Sequence, residues 1–361
     1  MEIGIIGLPM VGKTTLFNLL THGREETSRF FSGRTDAHIG VARVPDRRLD
    51  FLSSLYRPRR TVYPQIKFID VVGLMRGSSQ GAGVGNQFLE AIRNADALLH
   101  VVRAFRSEEV PHVEGSLNPA RDLSTVQTEL LLADLELVEK RLERISASKK
   151  KKDSAVEEGV LLRCRQALEQ ELPLHTLELS PEEEAYLRGY MFLTQKPMLL
   201  VANVDEEQWR QGEYPGKREL VDWATAHGVP YLEVCGLLEL EIDRLEPEDR
   251  RAFLQDLGLE ETGIDRVARA AYRQLGLISF FTVGEDEVKA WQIPQGTPAR
   301  EAAGKIHSDI ARGFIRAEVV AYADLERLGS MAKAREEGLL RLEGKEYVVQ
   351  DGDIITFRFN V

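Results

Sequence analysis

A glycine-rich segment close to the start of the chain has residue types and a spacing that suit phosphate binding. The run Gly7-Leu8-Pro9-Met10-Val11-Gly12-Lys13-Thr14 fits the pattern G-x-x-x-x-G-K-[ST]. Glycines allow backbone N–H groups to turn toward phosphate oxygens, and a helix that opens at the lysine adds its N-terminus. The pattern predicts that Lys13 reaches the β- and γ-phosphates of a nucleotide and that Thr14 binds Mg²⁺; an ordinary glycine-rich turn is the alternative. The predicted nucleotide contacts here are Gly7, Pro9, Met10, Val11, Gly12, Lys13, Thr14 and Thr15.

A second motif places a carboxylate at the end of an apolar run. Phe68-Ile69-Asp70-Val71-Val72-Gly73 ends in D-x-x-G. Asp70 is predicted to hold Mg²⁺, generally through its water, and the Gly73 N–H to sense the γ-phosphate. The next residue, Leu74, stands where Ras-like GTPases have a glutamine that orients the attacking water. Leucine cannot hydrogen-bond to water, so either another group positions the water or hydrolysis is slow.

A motif for the nucleotide base follows a later apolar run. Guanine specificity in this fold normally comes from N-K-x-D, whereas the chain reads Asn203-Val204-Asp205-Glu206. The lysine that packs along the base is lost, and the carboxylate of Glu206 lies on a longer side chain. The amino group of adenine donates hydrogen bonds and needs acceptors, which Asn203 and backbone carbonyls could supply. The residues therefore favour ATP, with GTP as the alternative. The predicted base contacts are Asn203, Val204 and Glu206, with Cys235 and the N–H of Gly236 on the expected fifth base-contacting loop.

The elements that must position these motifs alternate between strand and helix. Apolar runs predict strands at Ile3–Ile6, Gln65–Val72, Ala97–Val102 and Pro197–Val201, and helical spacing predicts helices at Thr15–Thr21 and Asn86–Asn94. This alternation predicts an α/β domain whose mostly parallel sheet is covered on both faces. A segment with several glycines is expected to be ordered by nucleotide, with a merely flexible loop as the alternative; its glycines are Gly77, Gly81, Gly83 and Gly85.

Two charged stretches in the middle of the chain have helical spacing. Leu123–Ser146 and Val156–Glu171 predict an antiparallel helical hairpin inserted into the α/β domain. The polar segment between them contains Lys149–Lys152. Four like charges at the tip could contact RNA phosphates, or could simply keep a solvated turn between two helices soluble.

The last part of the chain changes pattern once more. Strands are predicted at Phe280–Val283, Val288–Ile293 and Ile354–Phe359, a helix at Ala299–Ala311, and a tight turn at Gly352. These elements predict a small α+β domain. Basic residues that could form a face toward RNA, with a purely structural domain as the alternative, are Lys305, His307, Arg312 and Arg316.

The amino-acid composition excludes several classes of protein. The 361 residues carry 47 Lys and Arg against 58 Asp and Glu, a net charge of −11, which argues against a surface that is basic throughout. Only two cysteines occur, Cys164 and Cys235, which excludes a disulfide framework and fits a reducing cytoplasm. No apolar stretch is long enough to predict a membrane span. The sequence therefore predicts a cytoplasmic protein.

Several strings of residues occur together in one known family. They are Gly7–Thr15, Asp70–Leu74, Gly85–Leu89, Asn203–Glu206, Ala303–His307, Gly313–Ala317, Asp351–Asp353 and Phe359–Val361. On these strings the chain resembles, over essentially its whole length, the YchF subfamily of Obg-related P-loop GTPases, also called Obg-like ATPases. The resemblance implies a G domain at 1–122 and 196–277, a helical insertion at 123–195 and a C-terminal TGS domain at 278–361.

The resemblance also implies an activity and partners. It implies slow Mg²⁺-dependent hydrolysis of ATP in preference to GTP, and binding to the ribosome, with RNA or protein partners through the TGS domain. In the family, a histidine in a mobile loop has been proposed to assist hydrolysis, and the nearest match here is His112; a solvated loop histidine is the alternative. The predicted catalytic residues are therefore Lys13, Gly73 and His112.

Two departures from the family pattern affect the site. Met10 stands where the family usually has an asparagine, which in related proteins helps to hold a monovalent cation, so potassium activation is not expected to carry over. The family's Thr-x-x-Pro-Asn in the first switch has no full match in Gly33–Gly40, where Arg34 takes the threonine position. Thr35 remains the candidate Mg²⁺ ligand, with Thr14 and Asp70. These departures predict a divergent paralogue with altered hydrolysis, and leave open a catalytically weak nucleotide-binding module.

Overall fold

The chain divides into two compact units. The computed structural model describes residues 1–21, 38–70, 84–147 and 155–360. One unit comprises Met1–Ala42 and Lys67–Ala271, and the other comprises Arg43–Ile66 and Tyr272–Val361. The helical insertion thus groups with the nucleotide-binding residues. Residues 43–66, which the family resemblance places in the G domain, group with the C-terminal residues instead.

The described residues form twelve strands. In chain order they are β1 Glu2–Ile6, β2 His38–Arg43, β3 Arg60–Val62, β4 Gln65–Asp70, β5 Ala97–Arg103, β6 Met198–Asn203, β7 Tyr231–Val234, β8 Leu277–Val283, β9 Glu287–Pro294, β10 Phe314–Ala321, β11 Arg341–Glu343 and β12 Asp353–Phe359. The strands that the sequence predicts are all present, most of them longer by one to three residues.

Fifteen α-helices connect these strands within the described ranges. They are α1 Lys13–Thr21, α2 Arg47–Tyr56, α3 Val84–Arg93, α4 Pro119–Ala147, α5 Ala155–Glu169, α6 Pro181–Leu187, α7 Glu206–Gln211, α8 Lys217–Ala226, α9 Gly236–Asp243, α10 Pro247–Asp256, α11 Gly263–Gln274, α12 Ala299–Ile306, α13 Ser308–Arg312, α14 Tyr322–Leu328 and α15 Met331–Glu336. None of these helices combines the length and the apolar character that crossing a membrane requires.

The sheet of the first unit positions the nucleotide motifs. Its strand order is β2-β4-β1-β5-β6-β7, and β1 pairs in parallel with both β4 and β5. The pairs β5–β6 and β6–β7 are parallel as well. Every residue of β5 and β6 is buried, as expected for central strands covered on both faces. The parallel pairing that the sequence predicts is therefore present, and the carboxyl ends of β4, β1, β5, β6 and β7 meet at one edge of the sheet.

The helical insertion has a core of its own. The long α4 and the shorter α5 pack antiparallel, and Val138, Leu161 and Cys164 are among the buried residues of one apolar cluster between them. Burial raises the pKa of the Cys164 thiol to about 11, which suits a packing role for this cysteine. The tip lysines, Lys149–Lys152, lie outside the described residues.

The second unit contains the other six-stranded sheet, in the order β11-β10-β12-β8-β9-β3. The early strand β3 pairs in parallel with β9. Leu49 and Leu52 of α2 share a core cluster with Phe281 and Val288. The early segment 43–66 is therefore an integral part of this unit, a long-range association that the sequence pattern does not reveal.

The single helix predicted at Ala299–Ala311 is wrong, because the structure has two helices there. His307 between α12 and α13 has φ −161° and ψ 142°, an extended conformation that ends the first helix. The Asp309 N–H donates to His307 Nδ1 at 3.2 Å, so the histidine caps the second helix. The turn predicted at Gly352 is confirmed by its φ of 95°.

Candidate functional site

The glycine-rich motif Gly7–Thr14, called the phosphate segment below, runs from the end of β1 into the first turn of α1. Its backbone adopts a conformation that glycine permits. Gly7 has a φ of 144° and Gly12 a φ of 98°, both in the region that favours glycine. A Cβ on Gly7 would lie 2.3 Å from the carbonyl oxygen of Val101, and one on Gly12 would lie 2.3 Å from Nδ2 of Asn203. Both glycines are therefore needed for the close approach of the segment to β5 and β6.

Met10 is the unusual residue of this segment. Its φ is 64° and its residue surface is 51% exposed, so the side chain points away from the core. Asparagine tolerates this left-handed conformation better than methionine does. The departure at position 10 thus replaces a polar side chain suited to the backbone with an exposed apolar one. Of the other predicted contacts in the segment, Val11 is buried, and Pro9 and Thr15 are half-buried.

The Lys13 side chain folds back over the phosphate segment. Its Nζ donates to the carbonyl oxygen of Leu8 at 2.8 Å and to that of Gly7 at 3.2 Å. The residue is only 7% exposed. Burial lowers the pKa of Lys13 to about 8, and the charge of Asp70 partly offsets this effect. A phosphate oxygen would give the ammonium a charged partner and favour its protonated form.

A carboxylate and a hydroxyl meet beside this segment. Thr14 Oγ1 donates to Asp70 Oδ2 at 2.9 Å. The other oxygen, Asp70 Oδ1, is buried and has no hydrogen-bond partner among the described residues. Burial raises the pKa of Asp70, opposed by the Thr14 hydrogen bond and by the charges of Lys13 and His38. An unpaired carboxylate oxygen next to a hydroxyl suits a hard divalent cation, so these residues fit Mg²⁺.

Within the described residues, the groups that fit Mg²⁺ are the Thr14 hydroxyl and the Asp70 carboxylate. Across the described ranges, no group of three or more His, Cys, Asp or Glu side chains could hold a metal ion. Mg²⁺ typically takes one or two protein ligands and completes its shell with phosphate oxygens and water. Thr35, the third predicted ligand, and Gly73, the predicted γ-phosphate sensor, lie outside the described residues, as does Leu74. Their roles stay predictions.

Asn203 joins the phosphate segment to the base side of the site. The side chain is buried at the end of β6. Its Nδ2 donates to the Val11 carbonyl oxygen at 3.0 Å, and its Oδ1 accepts from the Gly236 N–H at 3.1 Å. Both ends of the amide are thus used inside the protein. The structure brings the predicted residues Val11, Asn203 and Gly236 together, and it gives Asn203 a positioning role.

The carboxylates that follow Asn203 already have partners. Asp205 caps α7 by accepting from the Gln208 N–H at 2.9 Å, and it accepts from the side chain and the N–H of Arg106 at 3.1 and 3.2 Å. Burial by itself would raise the pKa of Asp205, but these hydrogen bonds outweigh it and lower the pKa. Glu206 is exposed in the first turn of α7 and pairs with Arg210 at 3.3 Å. Neither carboxylate is left unpaired for guanine N1 and N2.

The remaining predicted base contacts differ in exposure. Val204 and Cys235 are buried, and burial raises the pKa of the Cys235 thiol, so both side chains serve packing. Gly236 opens α9, and a Cβ there would lie 3.2 Å from Asn203 Oδ1. The next residue, Leu237, is 71% exposed. Leu237 thus presents an apolar side chain to solvent directly after Gly236, and no sequence motif singles it out.

His112 is neither solvated nor free. Its Nε2 lies 2.8 Å from Oδ2 of Asp122, and its Nδ1 accepts from the Glu114 N–H at 3.1 Å. The side chains of His112 and Asp122 are 9% and 2% exposed. His112 is thus fixed to the first turn of α4, and the alternative of a solvated loop histidine is wrong.

Arg103 lies at the end of β5 and organises the loop that carries His112. No sequence motif singles this residue out. Its guanidinium is buried and donates, at 2.9 to 3.5 Å, to the carbonyl oxygens of Phe105, Ser107, Val110 and Pro111. One side chain therefore satisfies backbone groups that a regular element would pair. The sequence feature that could have indicated its role is an arginine at the end of a largely apolar strand.

A second missed residue, Asp134 of α4, anchors the base of the helical insertion. Its carboxylate accepts from Arg93 Nη1 at 3.1 Å, from the Leu193 N–H at 3.0 Å, and from both the N–H and the hydroxyl of Thr194 at 2.8 and 2.9 Å. Arg93 also donates to the Ala133 carbonyl oxygen at 3.0 Å. Because Arg93 ends α3, this ion pair ties the helix after the D-x-x-G segment to the insertion.

Two family models match this chain, one at each end of the sequence. A family model described as 50S ribosome-binding GTPase matches residues 2–134. The YchF-GTPase_C model, described as a protein of unknown function, matches residues 277–360.

Similar full-length proteins are known as well. The chain is 45% identical to the ribosome-binding ATPase YchF of Bacillus subtilis, covering 99% of each chain. It is 44% identical to the protein of that name from Escherichia coli O157:H7, covering all of this chain and 99% of the other. The solved structure of the Schizosaccharomyces pombe YchF GTPase superposes with a TM-score of 0.86 at 31% identity, over 99% of this chain and 97% of that one. The predicted fold class is confirmed, and the chain belongs to the YchF family of P-loop proteins.

Proposed function

We propose that this protein binds ATP together with Mg²⁺ and hydrolyses it slowly, as a nucleotide-dependent switch. The observation that carries the proposal is the buried Oδ1 of Asp70, which has no hydrogen-bond partner among the described residues, on a carboxylate whose other oxygen accepts from the Thr14 hydroxyl. A charged oxygen buried without a partner is costly, which favours a missing cationic ligand at this place. Lys13 adds a buried cation at the same segment. Together these groups suit a nucleoside triphosphate with its metal.

Hydrolysis in this proposal is an in-line attack of water on the γ-phosphate. Lys13 would leave the carbonyls of Gly7 and Leu8 and contact the β- and γ-phosphate oxygens. Thr14 and Asp70, and Thr35 in the first switch, would hold Mg²⁺, which when bound neutralises charge on the phosphate oxygens. Backbone N–H groups of the phosphate segment and of Gly73 would stabilise the charge that develops in the transition state.

The attacking water needs a partner that Leu74 cannot provide. His112 lies on the loop after β5, and β5 is the direct neighbour of β1 in the sheet. The loop therefore begins at the same edge as the phosphate segment. We assign the water-orienting role to His112. In the described conformation both of its ring nitrogens are engaged, which is consistent with slow basal hydrolysis.

ATP is proposed over GTP because of the partners of the two carboxylates after Asn203. Guanine recognition needs a carboxylate that accepts from N1 and N2. Asp205 is held by α7 and by Arg106, and Glu206 pairs with Arg210. GTP is the second candidate, since the Schizosaccharomyces pombe relative is called a GTPase, whereas the bacterial relatives are called ATPases.

The proposed partner is the ribosome, and the proposed location is the cytoplasm. The support is that the bacterial relatives are called ribosome-binding proteins. RNA contact through the C-terminal unit would rest on Lys305 and Arg316, because Arg312 pairs with Asp309 at 2.8 Å and His307 also faces that carboxylate. Contacts of this unit with a protein partner are the alternative.

Equilibrium titration of ATP and GTP, each with Mg²⁺, tests the proposal on the wild type and on Lys13→Ala. ATP should bind at least about tenfold more tightly than GTP, a difference of about 1.4 kcal/mol, and Lys13→Ala should abolish binding. Tighter binding of GTP would favour the GTPase. Intact ATP binding without turnover would favour a catalytically weak interaction module, which the departure at Met10 supports. Absence of binding to both nucleotides would overturn the proposal.

A further inference from the structure

We propose that Asp122 is a positioning residue that holds His112 in a resting conformation and thereby limits the basal rate of hydrolysis. This inference rests on the proposed function, in which His112 orients the attacking water. It concerns a contact between the loop after β5 and the first turn of α4.

The hydrogen bonds of His112 fix its tautomer and leave no nitrogen available. Nδ1 accepts from the Glu114 N–H at 3.1 Å, so it carries no proton in the neutral ring. The proton is then on Nε2, which donates to Asp122 Oδ2 at 2.8 Å. A histidine that orients water must offer at least one ring nitrogen to it. The described conformation must therefore be left before His112 can act.

Asp122 is well suited to this restraint because it is itself held firmly. Its Oδ1 accepts from Arg121 Nε and Nη2 at 3.1 and 2.8 Å. Arg121 also donates to the hydroxyl and the carbonyl oxygen of Ser116, at 3.0 and 2.7 Å. The Asp122 N–H donates to the Asn118 carbonyl oxygen at 3.1 Å. The carboxylate thus belongs to the rigid start of a long helix, and the loop is fastened to it.

The restraint has a quantitative consequence for turnover. If His112 acts only in the released conformation, the observed rate is proportional to the released fraction. A hydrogen bond to an ionised carboxylate is roughly twice as strong as one to a neutral amide. Replacing Asp122 by asparagine keeps the shape, weakens the contact and raises the released fraction. Hydrolysis should become faster while the affinity for ATP stays unchanged.

The test measures kcat and KM for ATP hydrolysis by the full chain and its variants. Asp122→Asn should raise kcat by about fivefold or more, with KM within about twofold of the wild type, since the restraint acts on the rate and not on binding. The gain should vanish in the double variant His112→Ala/Asp122→Asn, because the released residue is then absent. A purely structural role of Asp122 would not produce a gain that depends on His112.

A second variant covers the case in which Asp122→Asn folds poorly. Arg121→Gln leaves Asp122 in place but removes the guanidinium that immobilises it, and it should raise kcat by a smaller factor. His175→Ala is the matched control, because His175 contacts a backbone oxygen in the helical insertion and should leave kcat unchanged.

Three results would overturn the inference. A lower kcat in Asp122→Asn with ATP binding intact would mean that Asp122 orients His112 for the reaction rather than restraining it. An unchanged kcat in both Asp122→Asn and Arg121→Gln would mean that the contact does not limit hydrolysis. Wild-type turnover no higher than that of Lys13→Ala would remove the proposed function itself, and the inference with it.

Discussion

Two buried carboxylates of the same unit, Asp70 and Asp134, have opposite surroundings. They are 5% and 0% exposed, and burial raises the pKa of both. Asp134, at the base of the helical insertion, accepts hydrogen bonds from Arg93, from the Leu193 N–H and from two groups of Thr194. Asp70, beside the phosphate segment, accepts from Thr14 at one oxygen, and its other oxygen has no partner among the described residues.

The hydrogen bonding of these two aspartates distinguishes a carboxylate that stabilises the fold from one that is suited to bind a ligand. Burying a carboxylate is tolerated when every oxygen is paired, and it is costly when one is not. Asp134 therefore contributes to the fold, and its partners come from two separate parts of the chain, Arg93 and the adjacent pair Leu193 and Thr194. Asp70 is held at a cost that a bound metal ion with its nucleotide would relieve. An incomplete hydrogen-bonding shell thus indicates a ligand site more reliably than burial alone.

The largest expected effect is on stability, at the fully paired carboxylate. Asp134→Ala leaves the Arg93 charge and the backbone N–H groups of Leu193 and Thr194 without partners, and should lower the free energy of unfolding by about 3–5 kcal/mol. Urea unfolding of the full chain measures this. Glu136→Ala, which removes an exposed ion pair of the same helix, should cost less than about 1 kcal/mol. Equal losses in the two variants would contradict the comparison.

Asp70 should respond in the opposite way. Asp70→Asn removes a buried charge that lacks a full set of partners, so the free energy of unfolding should stay equal or rise. ATP turnover with Mg²⁺ should fall by about 100-fold or more, as when a group that stabilises transition-state charge is lost. Thr14→Ser keeps the hydroxyl oxygen and should retain most of the activity. A large loss of stability in Asp70→Asn would place Asp70 with Asp134 as a structural carboxylate.

Asn203 is expected to show an intermediate effect on both quantities, because it belongs to the fold and to the site. Asn203→Ala leaves the Val11 carbonyl and the Gly236 N–H unpaired, and should cost about 2 kcal/mol of stability and weaken ATP binding. Asn203→Asp keeps the acceptor for Gly236 but buries a negative charge against the Val11 carbonyl oxygen, so its loss of stability and of ATP binding should be larger than that of Asn203→Ala. Thermal unfolding and ATP titration would show the ranking. An alanine variant with full stability would remove the positioning role.

The smallest expected effect concerns the protonation of Lys13. Because its pKa is lowered to about 8 without nucleotide, the ammonium deprotonates above that pH, and ATP binding must restore the proton. The dissociation constant should therefore rise by up to about tenfold for each pH unit above pH 8. Between pH 8 and 10.5 the unfolded chain holds this proton and the folded chain does not, so the contribution of Lys13 to stability should rise with pH.

Calorimetric titration of ATP at pH 7, 8 and 9, in two buffers of different ionisation enthalpy, measures this proton uptake. An affinity that is constant over this range, with no uptake at pH 9, would show that Lys13 stays protonated in the free protein.

The sequence was most informative where function depends on local backbone shape. The phosphate segment, the strand that ends at Asp70 and the N-x-x-E motif could each be placed, because glycine spacing and apolar runs are local signals. The contacts of His112 with Asp122, and of Arg93 with Asp134, join residues on different elements, and nothing in their immediate neighbours marks them. The same holds for Asn203, which was predicted as a base contact but whose amide binds backbone groups of Val11 and Gly236.

Other differences have equally specific causes. The helix predicted at Ala299–Ala311 breaks at His307, because that side chain competes for the N–H groups of the next helix. Helical spacing continues through the break, so the apolar pattern gave no warning of it. Strand β3 belongs to the second unit because it pairs with β9, which is far away in sequence. Helix α2 belongs to it because Leu49 and Leu52 share a core cluster with residues of β8 and β9.

The split origin of the second unit has a consequence for how the chain is made. Leu49 and Leu52 leave the ribosome early, whereas their partners Phe281 and Val288 are synthesised more than 200 residues later. Until then the apolar side of α2 lacks its native packing partners. The second unit therefore cannot fold progressively from its N-terminal residues as they are synthesised. Folding of this unit requires a loop closure over most of the sequence, the kind of step that makes nonlocal topologies slow. A nascent chain that stalls before Leu277 would carry this exposed helix and would be a substrate for chaperones.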